Sequence, residues 1–205
     1  MAHPKQEQTL VLIKGDGVQR GLVGEIISRF ERVSLKIKAM KMVWPNADLA
    51  NRHYDPSNTE WLEDVGNKAL KGYEKKGIKV DKTPLEIGKH VQENLLGLLA
   101  AGPVVALVLQ GAHAVEIVRK LVGSTDPLSS APGTIRGDFA LDSYTMSDAD
   151  DRAIRNLIHA SGTVDEAKKE IEIWFDETEQ HEYTMPYDEV VYNKDWEKKQ
   201  ALLGE

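Results

Sequence analysis

The sequence predicts an α+β fold: a four-stranded antiparallel sheet with helices packed on it in βαββαβ order, carrying a helical insertion. Three observations predict it. Two continuous apolar runs, TLVLI at 9–13 and VVALVL at 104–109, read as buried central strands. A third run, LKIKAMKMV at 35–43, alternates apolar and mostly basic residues, as a strand with one wet face does. Each buried run is followed by apolar residues at helical spacing: Leu22, Val23, Ile26, Ile27 and Phe30 after the first, and Val115, Val118 and Leu121 after the second.

Taken in order, residues 9–13 are the first strand, and Lys14-Gly15-Asp16-Gly17 reads as a loop. A helix starts near Arg20, and residues 35–43 complete a β-α-β unit. Residues 47–54 read as a short helix. Residues 55–90 differ in kind: they are rich in Lys, Glu, Gly and Asn, with weak periodicity around Trp61, Val65, Leu70 and Tyr73. They read as an inserted, largely helical surface excursion. Residues 91–100 return to an apolar helical face, Gly102-Pro103 makes a turn, and 104–109 and 112–122 are strand and helix. Residues 123–137 carry Ser, Pro and Gly throughout, so they read as a long ordered loop, a common seat of function. SYTMSDADD at 143–151 is polar and acidic and reads as a second insertion, reaching about 153. Residues 156–159 resume a strand. Thr163 reads as the N-cap of a helix ending near Phe175, with Glu166 completing a capping box. From Asp176 the tail is acidic, aromatic-dotted and irregular. Two β-α-β halves on one antiparallel sheet give the ferredoxin-like plan. The expected organisation is a single domain over 1–205, with insertions at about 55–90 and 143–153 and a C-terminal extension at about 176–205.

Composition narrows the function. With 41% hydrophobic and 29% charged residues, the chain can bury a real core and still dissolve. A net charge of −7 disfavours broad nucleic-acid binding, because an acidic surface repels phosphate backbones. There is no cysteine, which excludes disulfides, thiolate catalysis and thiolate zinc sites. The longest apolar run, residues 95–109, is shorter than the ~20 apolar residues a membrane span needs, and Gly102-Pro103 breaks it. A cytoplasmic protein without a membrane partner is expected.

GDGVQRG at 15–21 is not a phosphate loop. Its third glycine comes one residue late for a dinucleotide fingerprint, and no Gly-Lys-Ser/Thr closes it. Basic residues at loops are more informative: Lys14 ends the first strand, Arg119 precedes the long loop, and Thr125 and Arg136 lie within it. Such cations suit a phosphoryl group, whose charge spreads over its outer oxygens. Each one alone is ordinarily a solvated surface charge. His159 alone is ordinarily a packed core histidine. The catalytic reading needs partners, and Glu170 and Ser161 stand where they could supply them. A carboxylate on one ring nitrogen fixes the tautomer and leaves the other nitrogen nucleophilic. The six histidines show no HxxxH or HExxH spacing.

Four blocks, TLVLIKGDGVQRGLVGEIISRFE, AAGPVVALVLQGAHAVEIVRKLVGSTDP, SSAPGTIRGDFALD and RNLIHASGTVDEAKKEIEIWF, together resemble nucleoside diphosphate kinases and occur in that family's order. The resemblance covers most of the chain outside the two insertions. It implies a ping-pong phosphotransferase in which His159 takes the γ-phosphate of a nucleoside triphosphate, mainly ATP, and passes it to a nucleoside diphosphate. By the same resemblance Glu170 and Ser161 orient that ring, and Tyr54 lies close to it. Lys14, Arg119, Thr125 and Arg136 clamp phosphate and sugar, and Asn156 contacts the sugar. Mg²⁺ would bridge phosphate oxygens instead of sitting in a protein cage. A homo-oligomer is implied, a hexamer in preference to a tetramer.

The chain departs from the family pattern in places. Lys14-Gly15-Asp16 stands where the family usually has Lys-Pro-Asp, which loosens that loop by about 0.4–1 kcal/mol where the backbone suits proline. The first insertion begins near the expected base-stacking aromatic, so Trp61 is the candidate, with Tyr73 as the alternative. Ser143 or Ile154 aligns with the aliphatic base contact. These departures motivate a second reading, a catalytically weak nucleotide-binding regulatory or scaffold protein on the same fold. An RNA-binding module on this plan is disfavoured because the strands lack aromatics and the net charge is −7.

Overall fold

The computed structural model describes residues 6–203. Its sheet has four strands, β1 (Glu7–Ile13), β2 (Lys36–Val43), β3 (Val104–Gly111) and β4 (Ile158–Ala160), in the order β2-β3-β1-β4. All three pairings are antiparallel, as the ferredoxin-like plan requires. The two continuous apolar runs are the central strands. β1 and β3 are covered on both faces, which is why neither alternates in sequence. On one face Val11, Ile13, Leu107 and Leu109 meet Ile26 and Phe30 of α2 (Val23–Glu31) and Val118 and Val122 of α6 (Ala114–Val122). On the other, Leu10, Leu12, Ala106 and Val108 meet Ala50 of α3 (Ala47–His53), Leu99 of α5 (Pro84–Ala100), and Ile171 and Trp174 of α9 (Val164–Trp174). His159 pairs with Leu12 in the β1–β4 register, so it shares the face covered by α3 and α9.

Several expected boundaries move. The Lys14–Gly17 loop is instead the start of a short helix, α1 (Gly15–Gln19), with Lys14 at its N-cap. Gly15 therefore sits at the first helical position, where a proline also fits. The helix expected from 91 begins earlier, at Pro84: Thr83 and Glu86 make a reciprocal capping box, and Pro84 needs no N–H partner there. Within the 123–137 loop, Pro127–Ser129 is a 3-10 turn, and α7 (Ile135–Phe139) carries Arg136 on a helix. The second insertion contains α8 (Tyr144–Ala149). The strand expected over 156–159 starts only at Ile158, because Leu157 takes a left-handed φ of 69°. The capping box expected at Thr163 is half formed: Thr163 caps Glu166 N, but the Glu166 carboxylate accepts from Gly162 N at 2.7 Å. The tail is not irregular. It forms a 3-10 turn at Glu177–Glu179, then α10 (Asp188–Tyr192) and α11 (Trp196–Leu203). It runs along the outer edge of β2, where His181 N donates to Lys38 O at 2.8 Å and Glu179 pairs with Lys41 at 2.7 Å. The chain thus partly covers its own open strand edge.

The 55–90 excursion holds α4 (Thr59–Lys75), which packs antiparallel on α5. Two glycines permit the close approach. A Cβ at Gly66 would stand 1.8 Å from Pro84 O, and one at Gly88 would stand 1.9 Å from Leu62 O. Gly72, on α4, faces open space. Gly88→Ala is expected to lower the unfolding free energy by about 1–3 kcal/mol, as overpacking does. Gly72→Ala is expected to raise it by about 0.5–1 kcal/mol. Thermal and denaturant melts of both variants measure the contrast.

Candidate active site

β4 ends at the edge of the sheet, and the residues at and just beyond its end face α9. His159 Nε2 lies 2.8 Å from Glu170 Oε1. Ser161, fully buried, donates its hydroxyl to Glu170 Oε2 at 2.5 Å and accepts from Leu10 N at 3.3 Å. Of the two partners expected for His159, Glu170 touches it directly; Ser161 and His159 reach the same carboxylate, one oxygen each. Burial alone would raise the Glu170 carboxyl, but the adjacent His159 and these hydrogen bonds outweigh it and hold it at about 2. The anion is therefore permanent at any working pH. The His159 ring keeps 18% of its side-chain surface, enough for one edge to meet solvent or substrate.

A histidine that sequence reasoning missed completes this group. His53, the last residue of α3, has a fully buried side chain. Its ring meets the His159 ring edge-on, with centroids 4.6 Å apart, and Trp174 Nε1 donates to its Nδ1 at 3.3 Å. Burial pushes His53 down to about 3, so it is neutral. No spacing rule could have found it, because its partners lie in a distant strand and helix. Tyr54 follows it, with its ring 6.5 Å from that of His159 and stacked on Trp61 at 5.9 Å. Burial, then the Glu170 charge, pushes the Tyr54 hydroxyl up.

The cations form a neighbouring cluster. Lys14 Nζ donates to Asn156 Oδ1 at 2.5 Å, and Asn156 Nδ2 donates to Thr125 O at 2.8 Å. Burial pushes the Lys14 ammonium down to about 8, against the pull of Asp16. Arg136 gives Nε to Asn156 O, Nη1 to Gly123 O and Ser124 O, and Nη2 to Ile158 O, over 2.7–3.2 Å. Four of its five N–H groups are thus spent on backbone carbonyls, and burial pushes it down to about 10. Asp16 Oδ2 accepts from Leu157 N at 2.9 Å while Leu157 O accepts from Lys14 N, and this pair holds the left-handed turn that aims β4. Arg119 is exposed beside Gly162, without an ion pair among the described residues. Tyr73 stands about 18 Å along α4 from Trp61 and faces Asp148 and Asp151, away from this cluster. Ser143 and Ile154 are both buried.

His53, His159 and Glu170 offer donor atoms within 4.8 Å of one another. Two of these are imidazole nitrogens, already engaged, and they do not make the oxygen cage that a hard cation takes. Among the described residues no helix is long and apolar enough to cross a membrane.

The family model for nucleoside diphosphate kinase matches residues 7–62 and 85–180. A nucleoside diphosphate kinase of Pyrobaculum aerophilum is 48% identical over 84% of this chain and 97% of its own. One of Pyrococcus furiosus is 42% identical over 95% of this chain and 96% of its own. The crystal structure of an NDP kinase from Pyrobaculum aerophilum aligns with a TM-score of 0.82 at 46% identity, covering 86% of this chain and 100% of that one. A transition-state mimic of the Borrelia burgdorferi enzyme, with bound vanadate and ADP, aligns at 0.76 and 34% identity, covering 91% and 96%.

The carbonyl cage around Arg136 predicts its own test. Arg136→Lys keeps the charge but loses the fork, and is expected to lower the unfolding free energy by about 3 kcal/mol in a denaturant melt.

Proposed function

The chain belongs to the nucleoside diphosphate kinase family, and from that premise we propose that His159 carries the phosphoryl group between its two nucleotide substrates. The protein is a nucleoside diphosphate kinase, moving the γ-phosphate of a nucleoside triphosphate to a diphosphate. The observation that carries the His159 assignment is the Nε2–Glu170 hydrogen bond. A carboxylate on Nε2 keeps the proton there, so the Nδ1 lone pair is the free nucleophile. Nδ1 attacks the γ-phosphorus. The bond to the bridging oxygen breaks, and the diphosphate leaves with its electron pair. The second diphosphate then attacks the phosphohistidine in the reverse sense, so one set of groups serves both halves.

Lys14, Arg119, Thr125 and Asn156 are assigned to phosphate and sugar. Arg136 supplies field and, through its one remaining N–H, a single contact. Its main task is to hold the Gly123–Ser124 carbonyls against β4. Tyr54 closes the His159 side, and Trp61 takes the base; its stacking on Tyr54 and the remoteness of Tyr73 support that choice. Family members use a divalent metal ion. We assign Mg²⁺, held by nucleotide oxygens, because the cluster offers cations and amides and no carboxylate cage. When bound, it neutralises phosphate charge. The weak regulatory alternative is not favoured. We assign a cytoplasmic hexamer in preference to a tetramer, as the family resemblance implies; Met40 and Met42 of β2 and Trp44 just beyond it are exposed and offer apolar contact surface. The layout remains one domain with the two excursions and the tail as additions.

Brief incubation with γ-labelled ATP and Mg²⁺ is expected to leave an acid-labile label that added GDP discharges and that His159→Ala abolishes. Full turnover by His159→Ala would end the assignment. Lys14 gives a second test. Its ammonium is charged below about 8 and lost above it. The kcat/KM of the wild type is therefore expected to fall above about pH 8, by up to ~10-fold per unit. Lys14→Gln is expected to lower the plateau and remove that limb.

A further inference from the structure

His53 touches the centre of the site, yet neither phosphoryl transfer nor nucleotide binding uses it directly. We propose that His53 is a positioning residue. Its Nδ1 lone pair, pinned by the Trp174 indole N–H, leaves Glu170 Oε1 no donor but His159 Nε2–H, and so holds the His159 ring in the tautomer whose Nδ1 is free. This rests on the reading of His159 as the phosphoryl carrier.

The tautomer of His53 follows from its neighbours. An indole nitrogen only donates, so His53 Nδ1, 3.3 Å from Trp174 Nε1, is an acceptor and carries no proton. The ring proton is then on Nε2, which is buried and has no partner among the described residues. A buried polar atom left alone is an exception that asks for a reason. The reason lies on the other side of the ring. His53 Nδ1 stands 3.7 Å from Glu170 Oε1, two electron-rich atoms with no proton between them. His159 Nε2 stands 2.8 Å from the same oxygen. The carboxylate is thus repelled on one side and bonded on the other, and its second oxygen is anchored by Ser161. A proton on His53 Nδ1 would reverse this, because the oxygen would gain a second donor and His159 would lose its exclusive partner. The burial that keeps His53 neutral supports the same arrangement. The rings reinforce it: His53 abuts His159 at an interplanar angle of 88°, and Trp174 abuts His53 at 83°, so neither imidazole can turn without displacing the next.

The test uses the full chain with ¹⁵N-labelled histidine. In the wild type, His53 is expected to show a bare Nδ1 and a protonated Nε2, and His159 likewise. Single-turnover labelling by γ-labelled ATP is then compared across variants. His53→Asn places a carbonyl oxygen where Nδ1 stood and is expected to keep the rate within about threefold. Trp174→Phe removes the donor that pins Nδ1, so that nitrogen can take a proton and donate to Glu170. It is expected to slow labelling on the order of tenfold to a hundredfold, with nucleotide KM changed less than about twofold. The His159 nitrogen shifts are expected to move toward a tautomer mixture in this variant. An unchanged rate and unchanged shifts in Trp174→Phe would overturn the proposal while leaving His159 as carrier. A wild-type His53 protonated on Nδ1 would overturn it even where the variants do not fold. No label on the wild type would remove the His159 reading itself, and this proposal with it.

Discussion

A buried carboxylate organises this site. Glu170 is 6% exposed, and an unpaired anion at that depth is costly. Its two oxygens are satisfied by His159 and Ser161, and Ser161 in turn accepts from the backbone of β1. One charge on α9 therefore fixes the tautomer of the His159 ring, the end of β4 and the contact of β4 with β1. β4 is only three residues long and pairs on one side, so its ladder alone could not set that geometry.

Arg136 does the complementary work before β4. Its guanidinium draws together carbonyls from Gly123, Ser124, Asn156 and Ile158, which bring the long loop to the strand. The loop then offers Thr125, whose carbonyl orients Asn156, which in turn holds Lys14. The buried cation spends its donors inside the fold, whereas Arg119 is exposed beside Gly162. Both buried charges thus fix the ends of the same short strand.

The two excursions also meet. Lys76, just past α4, pairs with Asp148 at 2.9 Å, and His90 of α5 reaches Asp151 at 2.6 Å. Exposed pairs of this kind contribute little one at a time. The excursion is held chiefly by the glycine-permitted packing of α4 on α5, and it carries Trp61 at its root.

Much of the fold was legible in the sequence because its signals are local. The unbroken apolar runs of β1 and β3, the helical spacing of α2 and α6 and the Thr163 cap are all set by neighbours in the chain. The boundaries that differ have one local cause and one distant one. Thr83-Pro84 with Glu86 is a start signal obscured by a polar segment, and the left-handed Leu157 is held by Asp16, far away in sequence. Of the site, His159, Glu170 and Ser161 and the cations were legible through the family pattern. Their division of labour was not: only the fold shows Arg136 spent on carbonyls. His53 and Trp174 were invisible, separated by 121 positions and joined by one hydrogen bond. The sequence by itself determined the central strands and the helix faces, because periodicity and capping act over a few residues. Tertiary structure alone decided which lone pair faces which proton, because that depends on packing α3, α9 and β4 against one another, and no local pattern encodes that packing.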